Sequence, residues 1–252
     1  MDPLFSCKIV GHGQLKLIAL HGWMGDHRLF DPLHDLIDPA RWSVAFPDCR
    51  GYGERRAIAG SLTVEEIAAD AKALAGHLGW KEWHVLGHSM AGMAAQHLML
   101  TGDVASAVLL APVPASGAKL TDERRALLHA GLANPEARLA LIDANTGKTR
   151  DITWLRKLRD LSLVGTTPEA MRAYMNSWAG AGFAAEMSGN STPATVVIGE
   201  LDPGTPEAAV RALYAELLPR AVVDLMPETG HYAMQERPEG LMSRLEAHFA
   251  RL

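Results

Sequence analysis

Six short apolar runs punctuate the chain, at residues 15–20, 42–46, 83–87, 105–111, 194–199 and 221–226. They are rich in Val, Ile, Leu and Ala and show little of the polar alternation expected of a strand with one face in water. Such near-continuous runs suit strands covered on both faces of a parallel sheet. Between them the apolar spacing changes to that of helices. Residues 63–78 open with Thr63 and Glu66, a capping-box pair, and place Ile67, Ala71, Leu74 and Leu78 on one face. Residues 90–100, 206–218 and 238–250 carry similar patterns, and Pro206 suits a first turn while Pro219 ends the helix it opens. Strands alternating with helices of this length predict an α/β fold with a mostly parallel sheet and right-handed crossovers.

The alternation lapses once. Residues 112–191 contain no strand-like run, only helical patterns such as Trp154/Leu158/Leu161 and Met171/Tyr174/Met175/Trp178. Pro112 and Pro114 lead in, while Gly189, Asn190 and Pro193 lead out. A helical insertion over 112–191 is expected, with residues 1–111 and 192–252 forming the core that holds the sheet.

Composition narrows the classes. With 252 residues, 48% hydrophobic and 21% charged, the chain is long and apolar enough for a substantial core and unlike a disordered segment. A net charge of -5 lacks the basic footprint that nucleic acid or an anionic membrane attracts, so neither partner is expected. Residues 1–10 show no secretory pattern, and no run reaches the roughly 18 apolar residues of a membrane span. A cytoplasmic location is the expectation. Cys7 and Cys49 are too few for a disulfide framework and are expected to be buried thiols. The eleven histidines show no metal-protease spacing, and neither a dinucleotide fingerprint nor a phosphate loop is present, so no metal and no cofactor are expected.

One motif carries chemistry. Gly87-His88-Ser89-Met90-Ala91-Gly92 lies between the strand at 83–87 and the helix at 90–100. A sharp strand–turn–helix junction exposes the Ser89 hydroxyl at the carboxyl edge of the sheet. It also sets that hydroxyl against helix N–H groups that favour negative charge. Here the chain resembles the α/β-hydrolase superfamily, whose usual form is G-x-S-x-G; Ala91 stands where that form has glycine. The resemblance implies an α/β-hydrolase fold with a helical cap, and Ser89 as nucleophile. His21-Gly22-Trp23 follows the strand at 15–20, where the family forms its oxyanion turn. By resemblance the Trp23 and Met90 backbone N–H groups are the two donors, and His21 is a structural residue of the turn. Asp48-Cys49-Arg50-Gly51-Tyr52-Gly53 resembles the family's D-x-R-G-x-G loop, with Asp48 and Arg50 expected to pair within it.

The acid and base belong to later strand ends, because catalytic groups of open α/β sheets gather at carboxyl edges. In the family the acid follows its strand in a G-x-x-D setting, which Gly199-Glu200-Leu201-Asp202 matches, and Asp202 is the implied acid. Glu200 is the competitor and reads as a solvated turn residue. His231 lies in the loop after the last strand, and the order Ser89, Asp202, His231 is the family's. Trp154, Met175 and Trp178 of the insertion are expected to line a mainly apolar pocket.

The same three residues serve several reactions on a small-molecule acyl substrate. Hydrolysis of a carboxylic ester, thioester or lactone comes first. C–C bond hydrolysis of a meta-cleavage diketone acid would need a cation for the substrate carboxylate, for which Arg156, Arg159 and Arg172 are available. Transfer to an acceptor other than water, or ligand binding without turnover, stays open. Dehalogenase or epoxide hydrolase chemistry would need an aspartate where Ser89 stands.

Overall fold

The computed structural model describes residues 3–252. The expectations for the extreme N-terminus fall in part on Met1 and Asp2, outside the described residues. Seven strands form one sheet: β1 (Cys7–Gly11), β2 (Leu15–Leu20), β3 (Trp42–Pro47), β4 (His84–His88), β5 (Ser106–Leu110), β6 (Ala194–Gly199) and β7 (Val222–Met226), in the order β1-β3-β2-β4-β5-β6-β7. All pairings are parallel except β1 with β3. Every residue of β3, β4, β5 and β6 is buried, which is why these strands read as near-continuous apolar runs. The antiparallel strand β1 was not among the expected elements. It is an edge strand of five residues with exposed Lys8 and Ile9, and it lacks an apolar signature.

Helices α1 (Val64–His77) and α2 (Met90–Leu100) pack on each other, and α2 lies on β4 and β5. Thr63 caps α1 by accepting the Glu66 N–H. Glu66 does not close the reciprocal box on Thr63. Its carboxylate reaches farther back, to the N–H groups of Leu62 and Ser61, where Leu62 adopts φ 54°. A 3-10 segment, His27–Leu36, joins β2 to β3 and has Pro32 inside it. After the sheet crosses to its other edge come α8 (Glu207–Leu217), α9 (Ala233–Glu236) and α10 (Pro238–Phe249). The last packs with the 3-10 segment and closes an apolar layer that includes Leu17, Val44, Leu86, Met242 and Leu245.

Between β5 and β6 the chain forms five helices: α3 (Asp122–Ala130), α4 (Pro135–Asn145), α5 (Ile152–Gly165), α6 (Pro168–Trp178) and α7 (Ala184–Met187). Side-chain oxygens of Thr121, Asn134, Asp151 and Thr167 cap the first four of these. Their inward residues, among them Leu128, Leu141, Leu155, Met171 and Trp178, join the apolar cluster that also contains the sheet. Among the described residues no helix is long and apolar enough to cross a membrane.

Two local expectations need correction. Asp48 and Arg50 do not pair. Asp48 turns inward to accept the N–H groups of His27 and Glu54 and the His27 ring, while Arg50 makes a two-bond pair with Asp70 of α1 at 2.8 and 2.7 Å. Gly53 accounts for the inward turn, since a Cβ there would lie 2.1 Å from Asp48 Oδ2. Cys49 is buried as expected, but Cys7 is only partly so because it begins the edge strand β1.

Candidate active site

The junction between β4 and α2 is tight. A Cβ at Gly87 would stand 2.4 Å from the Ala91 carbonyl oxygen and 2.8 Å from Ala95 Cβ, so only glycine fits. Ala91 is wholly buried, and the next close approach falls at Gly92, whose Cβ would stand 2.5 Å from Pro112 Cβ. Ser89 consequently adopts φ 54°, ψ −114°, a conformation that costs an L-residue energy and persists only when its surroundings enforce it. Three backbone bonds do so: Ser89 N–H donates to Leu110 O, and Gly92 N–H and Val113 N–H donate to Ser89 O, each at 2.9 Å.

The loop after β2 sits directly on this turn. A Cβ at Gly22 would lie 2.7 Å from His88 Nδ1 and 3.1 Å from Ser89 Cβ. His21 is buried, and its ring is spent within the loop: Nε2 accepts the Cys49 N–H, so Nδ1 carries the proton and donates to Gly22 O, both at 2.9 Å. Burial pushes the His21 pKa down against the pull of Asp48, in keeping with this neutral ring. Trp23 is tied at three points. Its Nε1–H donates to Met171 O at 2.7 Å, its carbonyl accepts Tyr52 Oη–H at 3.1 Å, and its ring meets Trp178 edge-on at 5.8 Å. The backbone N–H groups of Trp23 and Met90 donate to no group among the described residues, and that of Met90 is one of the open amides at the start of α2.

Asp202 and His231 come together at the ends of β6 and β7. The close approach is possible because residue 199 is glycine, where a Cβ would stand 2.2 Å from Gly230 O. His231 Nδ1–H donates to Asp202 Oδ2 at 2.7 Å. Asp202 is buried and accepts two further bonds, from Gly204 N–H at 2.8 Å and Thr205 Oγ1–H at 3.0 Å. Burial alone would raise its pKa. The His231 imidazole and these bonds outweigh that and hold the carboxyl below its ordinary value. An ionised Asp202 keeps the His231 proton on Nδ1 and leaves Nε2 free to accept one.

The His231 backbone is fixed from two sides. Its N–H donates to Asn145 O at the end of α4, and its carbonyl accepts His88 Nε2–H, both at 2.9 Å. His88, the neighbour of Ser89, has its ring tilted at 54° to the His231 ring, with centroids 4.9 Å apart. Its burial, and the nearby His231, push its pKa well down, so it is a neutral support. Beneath the loop the Glu236 carboxylate accepts the Gly230 and Tyr232 N–H groups and pairs with Arg150 of the insertion at 2.8 Å. The sequence reading missed His88, Asn145 and Glu236. Only His88, within the serine motif, left a signal there.

Ser89 follows His88 in the chain and His88 in turn meets His231, and among the described residues no hydrogen bond joins the Ser89 Oγ to the His231 imidazole. Glu200 is exposed and accepts the Glu228 N–H, away from this contact. Of the three expected pocket residues, Trp178 reaches the Trp23 ring. Met175 is wholly buried in α6, and Trp154 lies half-buried with the Arg150 guanidinium 6.0 Å from its ring. Arg156 and Arg172 are exposed, and Arg159 is occupied by Asp160 and Glu136. Asp26, His27 and Asp48 gather within 4.8 Å of one another, a grouping that sequence did not suggest. Their oxygens already serve Arg28, the His27 ring and backbone amides.

The chain belongs to the α/β-hydrolase family: the family's sequence pattern, described as Alpha/beta hydrolase family, matches residues 17–244. By that membership it is a hydrolase. Similar solved structures include a bromoperoxidase from Bacillus anthracis, 16% identical with a TM-score of 0.85 over 97% of this chain and 94% of that one. A thermophilic esterase from Thermogutta terrifontis is 22% identical, with a TM-score of 0.82 over 98% and 93%. An enol-lactonase from Burkholderia xenovorans is 20% identical, with a TM-score of 0.81 over 97% and 96%. No curated protein matches the chain in sequence.

Proposed function

We propose that the protein hydrolyses a carboxylic ester, or a related thioester or lactone, through an acyl-enzyme on Ser89. The observation that carries this reading is the 2.7 Å Asp202–His231 bond, tied through the His231 carbonyl to His88, the residue that precedes a serine in a strained turn at the head of α2. In the proposed cycle His231 Nε2 takes the Ser89 proton as Oγ attacks the acyl carbonyl. The Trp23 and Met90 N–H groups receive the oxyanion. Such donors are worth about 2.7–4 kcal/mol of barrier each, because they are fixed in place before charge develops. His231 returns its proton to the leaving alcohol, then activates water, which releases the acid and frees Ser89. The five helices between β5 and β6 act as the cap over this centre. The likeness to an esterase and an enol-lactonase supports this substrate class.

A fluorophosphonate probe tests the reading. Labelling at Ser89, together with turnover of p-nitrophenyl esters that falls on the order of 10⁶-fold in Ser89→Ala, is expected. Absence of an adduct, or a loss below tenfold, refutes the nucleophile.

A further inference from the structure

Arg138 of α4 is 1% exposed, yet no carboxylate pairs with it among the described residues. Its five N–H donors go instead to neutral groups. Nε donates to Gly131 O at 2.8 Å; Nη1 to Ser162 Oγ and Thr166 Oγ1 at 3.2 and 2.8 Å; Nη2 to Leu132 O at 2.7 Å and to Met171 Sδ at 3.0 Å. A buried charge ordinarily has a counter-charge, because hydrogen bonds to neutral groups recover only part of its lost hydration. Burial accordingly pushes its pKa down, and the groups that oppose this are Tyr52 and Tyr232.

The guanidinium shares helices and partners with the loops that flank Ser89. Arg138 and Asn145 stand seven residues apart, on the same face of α4 and about 10 Å apart along its axis. Asn145 O holds the His231 N–H. On the other side, Met171 offers its sulfur to Arg138 and its carbonyl to the Trp23 ring. Tyr52 bonds the Trp23 carbonyl, and Tyr232 follows His231. The uncompensated cation is therefore linked through Met171 to the Trp23 loop, and lies about 10 Å along α4 from the carbonyl that holds the His231 loop. Its weakest acceptor, the thioether, lies on the Trp23 side. Methionine is flexible and sulfur a poor acceptor, so this donor is the one an incoming anion can claim most readily.

We propose that Arg138 recognises a carboxylate on the substrate, so that the protein acts on half-esters of dicarboxylic acids or on comparable acyl compounds bearing a second, ionised carboxyl. The proposal rests on Ser89 as the nucleophile. The carboxylate takes the place of Met171 Sδ at Nη2 and supplies the charge that the fold withholds. Planar guanidinium–carboxylate pairing gives direction as well as attraction, fixing which end of the acyl chain meets Ser89.

The test compares p-nitrophenyl hydrogen succinate, glutarate and adipate with their neutral methyl esters. For wild type, kcat/KM should favour one half-acid over its methyl ester by about tenfold or more, carried mainly by KM. Arg138→Gln should abolish that ratio, whereas damage to packing alone would lower both substrates together and preserve it. Met171→Ala, which keeps the guanidinium and frees Nη2, should hold or raise the ratio, and it serves if Arg138→Gln does not fold. Free glutarate should raise the wild-type Tm but not that of Arg138→Gln, a readout independent of turnover. A wild-type preference for every neutral ester, an unchanged ratio in Arg138→Gln, or no Tm shift with any of the three free diacids overturns the proposal. Failure of the Ser89 reading looks different: no probe adduct and no turnover of either ester type, with the diacid Tm shift still deciding Arg138.

Discussion

Replacing Ser89 by glycine and, separately, by alanine isolates the strain in its turn. Both changes remove the hydroxyl, which caps no helix amide, and they differ only in whether a Cβ remains. At φ 54°, ψ −114° the backbone of an L-residue is held at a cost of about 1–3 kcal/mol. Glycine escapes that cost but brings about 0.4–1 kcal/mol of added freedom to the unfolded chain. The difference favours Ser89→Gly over Ser89→Ala by about 1 kcal/mol. For a chain of this length that corresponds to about 2–4 °C in Tm. The backbone bonds from Ser89 N–H to Leu110 O, and from Val113 and Gly92 N–H to Ser89 O, persist in both variants. Paired urea and thermal unfolding curves measure the gap. If Ser89→Ala proves the more stable of the two, the turn holds no strain and the reasoning fails.

Gly22→Ala would push a methyl within 2.7 Å of His88 Nδ1 and 3.1 Å of Ser89 Cβ; displacement of this order costs about 10²-fold in turnover, to be read as kcat on a p-nitrophenyl ester. Asp202→Asn keeps the shape of the 2.7 Å contact but no longer stabilises the Nδ1 proton; kcat should drop about 10⁴-fold, and probe labelling should slow with it. His27 has its pKa raised by its hydrogen bond to Asp48, with burial opposing. A raised folded-state value contributes stability that is whole below about pH 6.5 and disappears as pH climbs through it. Urea midpoints should fall across that alkaline step in wild type and not in His27→Asn. The Asp48 side has the reverse sign: burial raises its pKa, the His27 bond and charge outweigh that, and the stability from its lowered value is lost as pH falls below about 4.

What was legible in the sequence was what local chemistry dictates. The strands β2 and β6 begin and end at the expected residues, because burial of Leu17–Leu20 and of all of β6 leaves each strand a single polar side chain, Lys16 and Thr195. The turn at Ser89 was readable because a strand, a glycine and a helix start stand within a few residues. Asp202 and His231 could be nominated from their strand-end positions and the family's chain order, and their contact depends on a glycine approach between loops about thirty residues apart. The edge strand β1 escaped because pairing on one side asks little of its side chains. Arg138 escaped for the opposite reason. A charged residue on an amphipathic helix reads as solvated, and its burial follows from the way α4, α5 and α6 meet, with Ser162 and Met171 supplied from the other two and Thr166 from the turn between them. The mistaken Asp48–Arg50 pair shows the same limit: complementary charges two residues apart turned to partners 21 residues back and 20 residues ahead in the chain, His27 and Asp70.

The Asn145 carbonyl that holds His231 N–H bears on how such proteins diverge and how they can be rebuilt. Met171 O does the same for Trp23, so both loops beside Ser89 hang from main-chain atoms of the insertion. The segment is therefore not an interchangeable module. A chimaera that imports a relative's helices will keep turnover only where the donor presents a carbonyl at each of these two points. Drift in substrate range and drift in rate should be inherited together, and libraries that vary outward-facing side chains while sparing these two attachment points should retain the most active members.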